Sequence, residues 1–431
     1  MALTKATYSM IAGTPANVLD YGADPTGATN SSAAFSAAFN ASLTVYVPAG
    51  TYLVTSEIVI PSSGTLFGES KATTVIKAGT NAQNVIRLPQ SNYNVRIKTL
   101  SIDGNSLASQ GIVSTSTTNG EAAHLLIEDV QVYNSIGKNI NLIFMAYAVL
   151  RDVYCFNITS NGLAYGLYLQ NCNNCEIHGG LYYNNKLGSA YLLRSGTNLF
   201  LDARFYNDAT VVSPTLVEIE SSFNNKFNSC TFEPQGAANV VTNVSIKGST
   251  GVFNCTDNIF VDCAFTGLAD TCTNVIEVGT ANAAYKTKIQ NCTFIKPTST
   301  SSIVLTVQAN TLIENCVDMV IYDTPTFVNV SVTNNGGNAY FIKSAVNGAN
   351  DLFPLTTNTG TVGNASLKWS SVAATSFLVG TSSATFTSDT GSPEGALTAI
   401  VGSLYTRTNG GAGTTLYVKE SGTGNTGWVA K

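Results

Sequence analysis

A pattern of six residues recurs along the middle of the chain with an average spacing of about 27 residues. Each copy has a large apolar residue first, a polar residue or glycine third, and a mostly small apolar residue fourth. The nine copies occupy residues 97–102, 127–132, 150–155, 177–182, 200–205, 227–232, 260–265, 289–294 and 313–318. A period of this length is typical of a solenoid, in which each coil buries its apolar side against the next.

The order of residues within each copy predicts a bend. In a regular strand the first, third and fifth side chains share one face, and the polar third residue followed by an apolar fourth residue breaks that alternation. A bend in every coil is what a parallel β-helix needs in order to turn from one sheet to the next. We therefore interpret the aspartates at the third position as bend residues that bond to the turning backbone. They are Asp129, Asp152, Asp202 and Asp262.

Stacking of the coils predicts the composition of the core, because like residues then lie above like at about 4.8 Å. One expected column is a ladder of thiols formed by Cys230, Cys263, Cys292 and Cys316. A second column is a stack of aromatic rings formed by Phe205, Phe232, Phe265 and Phe294. Burial of each phenylalanine contributes roughly 1.5 to 3 kcal/mol before entropy is counted. These residues are therefore assigned to the core.

A second type of strand, with regular alternation, lies between the copies of the pattern. Its copies occupy residues 140–142, 167–170, 191–194, 217–220, 244–247, 276–278 and 305–308. Alternation sends one set of side chains inward and the other to solvent. The first expected outward column is Tyr168, Leu192, Glu218, Ser245, Glu277 and Thr306. The second is Gln170, Arg194, Glu220, Lys247, Gly279 and Gln308.

Charge is scarce everywhere else, and this makes the outward face conspicuous. Lys and Arg number 21 and Asp and Glu 26, or 11% of the chain, against roughly 25% in ordinary soluble proteins. A net charge of -5 without a basic cluster argues against nucleic acid or an anionic membrane surface as a partner. No apolar run is long enough to insert into a membrane. With 44% hydrophobic residues the chain has ample material for a core, which argues against disorder.

Carboxylates on the outward face are candidates for glycoside hydrolysis, which needs two carboxyl groups about 5 to 9.5 Å apart. Glu218 and Glu220 are two residues apart on one strand, so their Cα atoms lie about 6.6 Å apart on one face. Glu277 follows two coils after Glu218. The candidate catalytic residues are therefore Glu218, Glu220 and Glu277, with Glu218 as the better acid and Glu220 as the better base or nucleophile.

A structural explanation of the same residues stays open. Glu220 would stack between Arg194 and Lys247, and such surface ion pairs are common and worth about 0 to 1 kcal/mol each. A similar ladder, formed by Lys98, Glu128, Arg151 and His178, is expected on the first type of strand. Tyr168, Arg194 and Lys247 are the candidate polysaccharide-binding residues, and Tyr165, near Tyr168, could also offer a flat ring face to a sugar.

No cofactor or metal ion is expected. The Cys172-x-x-Cys175 pair is interpreted as two packed thiols in a turn, because no second Cys or His pair follows it at metal-binding spacing. A calcium-dependent lyase would need a dense acidic cluster, which the sequence lacks. The sequence has only two histidines, His124 and His178, and we therefore do not predict a Ser-His-Asp catalytic triad. If the chain is an enzyme, a hydrolase is favoured over a lyase.

The start of the chain carries a family resemblance. The segment Asn17-Val-Leu-Asp-Tyr-Gly-Ala-Asp-Pro-Thr-Gly27 precedes an Ala-rich helix over residues 31–42, and Val45-Tyr-Val-Pro-Ala-Gly-Thr-Tyr52 follows it. Together they resemble the opening of the pectate-lyase-like β-helix domains of bacteriophage tailspikes and tail fibres. The resemblance implies an all-β fold, a right-handed parallel β-helix whose N-terminal end is capped by the short helix. In place of the acidic residues often found before that helix, this chain has Asn30-Ser31-Ser32.

After about residue 345 the 27-residue pattern fades into short Gly/Ser/Thr-rich strands. The turn Asn409-Gly410-Gly411 predicts a hairpin between Leu404-Tyr405 and Leu416-Tyr417-Val418. The region resembles the C-terminal tips of phage tail fibres and spikes, and the resemblance implies a homotrimer. The expected organisation is an N-terminal adaptor segment over residues 1–16, the β-helix over 17–345, and a C-terminal β-rich trimerisation or tip region over 346–431.

The resemblance also implies a function. We expect a tail spike or fibre that recognises host-surface polysaccharide as a receptor-binding protein, with depolymerase activity left open. The alternatives are an active endoglycosidase or lyase tailspike, and a purely structural tail or baseplate spike. The implied partners are two further copies of the chain, another tail component bound through residues 1–16, and the polysaccharide. Without a secretory signal at its start, the protein would be made in the host cytoplasm and act in the extracellular virion.

Overall fold

The computed structural model describes much of the chain from residue 13 to the C-terminal end, in segments separated by gaps. The described residues are 13–80, 84–118, 122–157, 165–207, 213–234, 240–248, 255–266, 274–278, 284–295, 305–306, 312–316, 320–323, 331–333, 340–343, 376–379 and 384–431. The chain divides into two compact units, Met1–Leu352 and Phe353–Lys431. The predicted boundary between residues 345 and 346 falls outside the described residues. Residues 1–12 of the expected adaptor segment also fall outside them.

The first unit is a parallel β-helix. Within the described residues, 22 strands form a large sheet of two rows, in which each strand pairs in parallel with the equivalent strand of the neighbouring coil. The first row is Ala16–Asn17, Thr44–Val47, Thr65–Gly68, Arg96–Asp103, Leu126–Tyr133, Val149–Arg151, Glu176–His178, Leu199–Leu201, Lys226–Asn228, Ile259–Val261, Lys288–Gln290, Leu312–Glu314 and Ser331–Thr333. The second row is Thr26–Asn30, Gly50–Val54, Thr74–Ala78, Tyr154–Phe156, Leu181–Tyr183, Arg204–Asn207, Thr231–Pro234, Ala264–Thr266 and Thr293–Ile295. The strands Arg96–Asp103 and Leu126–Tyr133 run through both rows.

The predicted bend separates the two rows. In every copy of the six-residue pattern the third residue has a positive φ, for example 53° at Asp129, 49° at Asp152 and 55° at Asp202. Single residues in this left-handed conformation are tolerated best when they are Gly, Asn or Asp, which accounts for seven of the nine residues at this position. The exceptions are Ser229 and Thr99, and the Thr99 hydroxyl donates to Gly68 O at 2.8 Å. The position of these aspartates at the bend is confirmed. The carboxylate contacts that the structure gives are to side chains and not to the turning backbone: Asp129 pairs with Lys71 at 2.6 Å, and Asp262 Oδ1 accepts from Asn291 Nδ2 at 3.1 Å.

The remaining side of each coil belongs to a twelve-stranded sheet, counted within the described residues, which is also parallel throughout. Its strands are Ile58–Val59, Asn84–Leu88, Gln110–Ser114, Lys138–Ile143, Tyr165–Gln170, Gly188–Leu193, Ser213–Glu220, Val240–Lys247, Asn274–Val278, Leu305–Thr306, Val320–Asp323 and Tyr340–Lys343. Inward residues such as Leu167, Ala190, Val217 and Val244 form one buried column. Two short parallel pairs, Ala122–Ala123 with Met145–Ala146 and Cys255–Thr256 with Ala284–Tyr285, lie in the turns.

The predicted core columns are present. The rings of Phe205, Phe232, Phe265 and Phe294 stack at centroid distances of 5.3, 4.7 and 4.9 Å and are buried. The four thiols of the ladder are buried as well, and each points its Sγ at a carbonyl of the preceding coil, as Cys263 does to Phe227 O at 3.4 Å. Burial raises the pKa of Cys175 to about 12, which fits the interpretation of the Cys172/Cys175 pair as packed, unreactive thiols.

A buried ladder of amides at one corner was not predicted. Asn198 Nδ2 donates to Asn225 Oδ1 at 2.9 Å, and Asn225 Nδ2 donates to Asn258 Oδ1 at 3.0 Å. Each amide also donates to a backbone carbonyl of the preceding coil, so the turning backbone is satisfied without water. All three side chains are buried.

The helix Ser32–Ala41 covers the first coil, as expected. Phe35 and Phe39 lie on its buried side, and the Phe35 ring meets the Tyr52 ring edge-on at 6.0 Å. The side chain of Asn30, rather than that of the N-cap residue Ser31, accepts from Ser32 N at 3.0 Å. A 3-10 helix, Val18–Tyr21, precedes it. No helix in the described part of the chain is long and apolar enough to cross a membrane.

The second unit contains a small sheet in the order Ser376–Val379, Ala384–Asp389, Leu404–Arg407, Leu416–Lys419 and Trp428–Ala430. Its pairs are antiparallel except that between Ala384–Asp389 and Leu404–Arg407. The predicted hairpin around Asn409-Gly410-Gly411 is confirmed. Tyr405, Tyr417 and Trp428 form a buried cluster on one face of the sheet.

Candidate functional site

The outward face of the twelve-stranded sheet brings aromatic and charged side chains together on neighbouring coils. Strand register aligns Tyr168 with Tyr191, Tyr191 with Glu218, and Glu218 with Ser245. Ser245 in turn pairs with Glu277. The carboxylates predicted as a group thus share a face, and Glu277 lies two coils, or about 10 Å, from Glu218. The side chain of Glu277 lies outside the described part.

The predicted register was wrong by one residue in the strand Gly188–Leu193. Leu192 was expected on the outward face, but it is buried and pairs with Leu169 and Ile219. Tyr191 takes the outward place. Arg194 lies beyond the strand, in a bend with a φ of 51°, where its backbone N–H donates to Glu220 O at 3.0 Å. The expected column of Arg194, Glu220 and Lys247 is therefore corrected: Leu193 is the residue aligned with Glu220.

Lys247 connects the two carboxylates. Its Nζ contacts Glu218 Oε1 directly and lies 3.5 Å from Glu220 Oε2. The Glu218 and Glu220 side chains are only 16% and 20% exposed, whereas that of Lys247 is 40% exposed. Burial lowers the pKa of Lys247, but the hydrogen bond and charge of Glu218, followed by the charge of Glu220, outweigh burial and raise it overall. The two carboxylates therefore share one ammonium, and the nearer of them is Glu218, the predicted acid.

Three tyrosines complete the face. The Tyr191 hydroxyl donates a hydrogen bond to Glu220 Oε2. The rings of Tyr165, Tyr168 and Tyr191 pack against one another, with centroid distances of 5.6, 5.3 and 5.0 Å. Burial and then the charge of Glu218 raise the pKa of Tyr165 to about 12. Burial, together with the hydrogen bond to Glu220, holds the pKa of Tyr191 far above its ordinary range. The tyrosines therefore present neutral hydroxyl groups at any physiological pH.

A second lysine closes the other side of this cluster. Lys138 Nζ lies 3.5 Å above the centroid of the Tyr168 ring, at the distance of a cation–π contact. Strand register pairs Lys138 with Tyr165. Burial lowers the pKa of Lys138. We call the group Lys138, Tyr165, Tyr168, Tyr191, Glu218, Glu220 and Lys247 the tyrosine–carboxylate cluster.

Sequence reasoning named Tyr168, Glu218, Glu220 and Lys247 from this cluster, noted Tyr165 near Tyr168, and missed Tyr191 and Lys138. Tyr191 was missed because the sequence Tyr191-Leu-Leu permits two registers, and a tyrosine is acceptable on either face. Lys138 was missed because it lies at the start of its strand, before the apolar residue Ile140 from which its column was aligned. Its signal was that Lys138 precedes Ile140 by two positions, as Tyr165 precedes Leu167.

The ion ladder predicted on the first type of strand, in which charged residues pair without forming a binding site, is present in part. On the large sheet Lys98 Nζ lies 2.8 Å from Glu128 Oε2, and Arg151 Nη1 lies 3.7 Å from Glu128 Oε1. His178 continues the register but pairs with Glu176 of its own strand at 2.9 Å. Among the described residues neither Lys98 nor Arg151 makes a cation–π contact. One ring pair precedes the ladder, since Phe67, which packs on Tyr46 at 5.2 Å, is aligned with Lys98. The packed tyrosines distinguish the tyrosine–carboxylate cluster from this ladder.

Aromatic residues also line the end of the second-row strands. The rings of Tyr133, Phe156, Tyr183 and Tyr206 stack on one another at 5.0, 4.8 and 5.1 Å. Arg204 lies over Tyr206 and pairs with Glu233. Because the ring faces cover one another, this stack offers mainly ring edges to a ligand. Within the described residues, no group of three or more His, Cys, Asp or Glu is placed to hold a metal ion.

Comparisons with known proteins agree with this architecture. Residues 16–210 match the family described as rhamnogalacturonase A/epimerase, pectate lyase-like. A putative phage-related protein of Bacillus subtilis, YobO, is 31% identical over 168 residues, which are 36% of this chain and 20% of that protein. The chain therefore spans about a fifth of the length of this curated relative.

Solved structures share the fold at low sequence identity. ORF18 of Geobacillus virus E2 superimposes with a TM-score of 0.53 and 17% identity, over 77% of this chain and 61% of that one. PfbA, a surface adhesin of Streptococcus pneumoniae, superimposes with a TM-score of 0.60 and 14% identity, over 78% of this chain and 93% of that one. The fold is thus a pectate-lyase-like, right-handed parallel β-helix, and the resemblance to the β-helix proteins of phage tails is confirmed.

Proposed function

We propose that the chain is a bacteriophage tail spike or fibre that recognises host-surface polysaccharide through the tyrosine–carboxylate cluster. One observation carries the proposal: three tyrosine rings pack beside two carboxylates and an ammonium on an outward sheet face of a chain with little charge elsewhere. The half-buried rings of Tyr165 and Tyr191 offer apolar surface to a sugar, and the charged groups accept from and donate to its hydroxyls. Tyr168 is only 8% exposed and supports these two rings by packing against them. The phage-related relative and the adhesin of the same fold support this choice.

Binding is favoured over cleavage by the electrostatics of the cluster. A general acid needs a carboxyl group held protonated in an apolar environment. Both Glu218 and Glu220 instead lie against the Lys247 ammonium, and Glu220 also accepts a hydrogen bond from Tyr191, so neither carboxylate has an apolar environment. The preference for Glu218 as the acid therefore loses its main support, since Lys247 is closer to Glu218 than to Glu220.

Cleavage is the second candidate, because two carboxylates that reach one ammonium are close enough to act on one glycosidic bond. Such proximity fits the shorter spacing of a retaining glycosidase better than the wider spacing of an inverting one. In that mechanism Glu220, with Tyr191 and Lys247 as partners, would be the nucleophile and Glu218 the acid. Glu277 would then act on a neighbouring part of the substrate.

One experiment separates the candidates. The purified protein is incubated with a panel of bacterial capsular and O-antigen polysaccharides, and binding and new reducing ends are both measured. Binding without new ends supports the receptor-binding function. New ends that disappear in Glu218→Gln or Glu220→Gln support the glycosidase. Absence of both from every polysaccharide contradicts the proposal and leaves the structural spike.

Assembly as a homotrimer is part of the proposal. In the second unit Phe386, Leu404, Val418 and Val429 align across four strands on one face of the sheet, opposite the buried Tyr405 cluster. Phe386, Leu404 and Val429 are each 38% to 39% exposed. Contact between copies of the chain would cover this row. Size-exclusion chromatography with light scattering tests it, and a monomer would contradict the trimer.

Attachment through the N-terminal segment completes the proposal. Residues 1–16 would dock on another tail component and so place the protein in the extracellular virion. Deletion of residues 1–12 is expected to abolish incorporation into virions while leaving the purified protein folded. Normal incorporation of the deletion variant would contradict the adaptor role.

A further inference from the structure

One exposed phenylalanine lies at the corner that follows the carboxylates. Phe223 is 45% exposed and comes three residues after Glu220, so their Cα atoms are at most about 11 Å apart. Its backbone is fixed: Phe223 N donates to Ser195 O at 3.1 Å, and Thr197 N donates to Phe223 O at 3.0 Å. An aromatic ring exposed to this extent gains little from the hydrophobic effect in its own coil.

The ring lies flat on a glycine of the preceding coil. A Cβ placed on Gly196 would lie 2.4 Å from Cζ and Cε2 of Phe223 and 2.8 Å from Cδ2. Distances this similar to three consecutive ring carbons mean that the face of the ring, and not its edge, covers the glycine. Any larger residue at position 196 would lift the ring. Because Gly196 has no side chain, the Phe223 ring can pack flat against it, parallel to the protein surface.

The outer face of the ring is consequently turned to solvent. Among the described residues no other ring pairs with Phe223, in contrast to the stack that begins at Tyr133, whose faces cover one another. Three exposed polar residues lie close to Phe223 or Gly196 in the chain: Asn224 follows Phe223, Thr197 follows Gly196, and Arg194 precedes Gly196 by two positions. A flat apolar surface with polar groups at its rim matches a pyranose ring, whose C–H groups form an apolar face and whose hydroxyls project from the edge.

We propose that Phe223, seated on Gly196, is the stacking platform of a second sugar-binding subsite next to the tyrosine–carboxylate cluster. This inference rests on the proposed function, because the sugar bound here belongs to the same polysaccharide chain. Arg194, which lies between Glu220 and Gly196 at this edge, orients the sugar through its hydroxyls. The subsite sets which sugar unit is placed beside Glu218 and Glu220.

Three substitutions at Phe223 test the platform. Phe223→Leu keeps an apolar cover over Gly196 but removes the flat face. Phe223→Trp keeps a flat face and adds a fluorophore. Phe223→Ala removes both the apolar cover and the flat face. Apparent affinity for the polysaccharides of the panel is measured for each variant, with thermal unfolding as the test of folding. We expect Phe223→Leu and Phe223→Ala to bind about tenfold more weakly and Phe223→Trp to bind within about threefold of the wild type.

The outcomes separate this inference from the proposed function. Wild-type binding that survives unchanged in Phe223→Leu overturns the platform while leaving recognition of polysaccharide intact. Failure of the wild type to bind any polysaccharide overturns both. If Phe223→Leu loses as much thermal stability as Phe223→Ala, and the fluorescence emission of Phe223→Trp does not change when polysaccharide is added, the ring has a structural role and the platform is overturned. A change in that emission on addition of polysaccharide supports the platform.

Discussion

The hydroxyl of Tyr191 donates a hydrogen bond to Glu220 of the next coil, so an aromatic residue on one coil fixes a carboxylate on another. Glu220 also faces Lys247, which approaches it from the coil on the other side. Three consecutive coils thus determine the orientation of one carboxylate. A solenoid can build such a site only where its register is constant, since a slip of one residue would turn each side chain to the opposite face.

The ion pairs of Lys247 make stability depend on pH. Because the folded-state pKa of Lys247 is raised above its ordinary value of 10.5, its stabilisation is fully present below that value and is lost as the pH rises through the folded-state pKa. Lys247→Gln is expected to lower the free energy of unfolding by about 1 kcal/mol or less at pH 8, since the ammonium is partly exposed. The difference should shrink at strongly alkaline pH.

Thermal unfolding of the wild type and Lys247→Gln between pH 7 and 11.5 measures this effect. Lys98→Gln, which breaks the ladder with Glu128, is the matched control for loss of a surface ion pair. A difference between the wild type and Lys247→Gln that grew with rising pH would show that the sign assigned to this linkage is wrong.

The positive φ at the bend position predicts that one substitution is tolerated and another destabilises the protein. Asp202 has a φ of 55°, which glycine adopts freely and a β-branched residue adopts only with strain. Asp202→Gly is expected to leave stability nearly unchanged, whereas Asp202→Val should cost about 1 to 2 kcal/mol. Denaturant unfolding provides the measurement. Equal stability of the two variants would mean that the backbone conformation at this bend does not select the residue type.

Tyr182 offers a case in which removing an atom should not destabilise the protein. Its ring is buried in the column that continues into Phe205, at a centroid distance of 5.5 Å, and its hydroxyl has no hydrogen-bond partner among the residues that the structure describes. A buried hydroxyl without a partner costs about 1 to 3 kcal/mol. Tyr182→Phe is therefore expected to keep or raise the melting temperature, whereas Phe205→Ala should lower stability by about 3 to 5 kcal/mol. A marked loss of stability in Tyr182→Phe would show that the hydroxyl is satisfied in solution.

Much of this fold was accessible from the sequence, because a repeat confines each position to one environment. The polar third residue of the pattern located the bend, and the recurrent Cys and Phe located the core columns. The turn Asn409-Gly410-Gly411 located the hairpin of the second unit. In each instance a local chemical requirement, such as a positive φ or burial, restricts the residue types that can occupy the position.

The parts that were missed lack such a restriction. Tyr191 is amphipathic, and the two leucines after it satisfy either register, so alternation alone could not decide which face it occupies. The ladder of Asn198, Asn225 and Asn258 depends on contacts between coils, although its members recur two residues before the leading Phe of each pattern. The platform of Phe223 on Gly196 depends on a contact between two turns, which the period suggests only after the register of the corner is known.

Recognition of polysaccharide by the tyrosine–carboxylate cluster is tested most directly by comparing Glu220→Gln with Glu128→Gln. Each substitution removes one negative charge from an ion ladder on an outward sheet face, but only Glu220 lies beside packed tyrosines. Both variants and the wild type are titrated with a polysaccharide that the wild type binds, and their apparent dissociation constants are compared. Binding about tenfold weaker in Glu220→Gln and unchanged in Glu128→Gln is the predicted result. Unchanged binding in Glu220→Gln, or an equal loss in both variants, would contradict it.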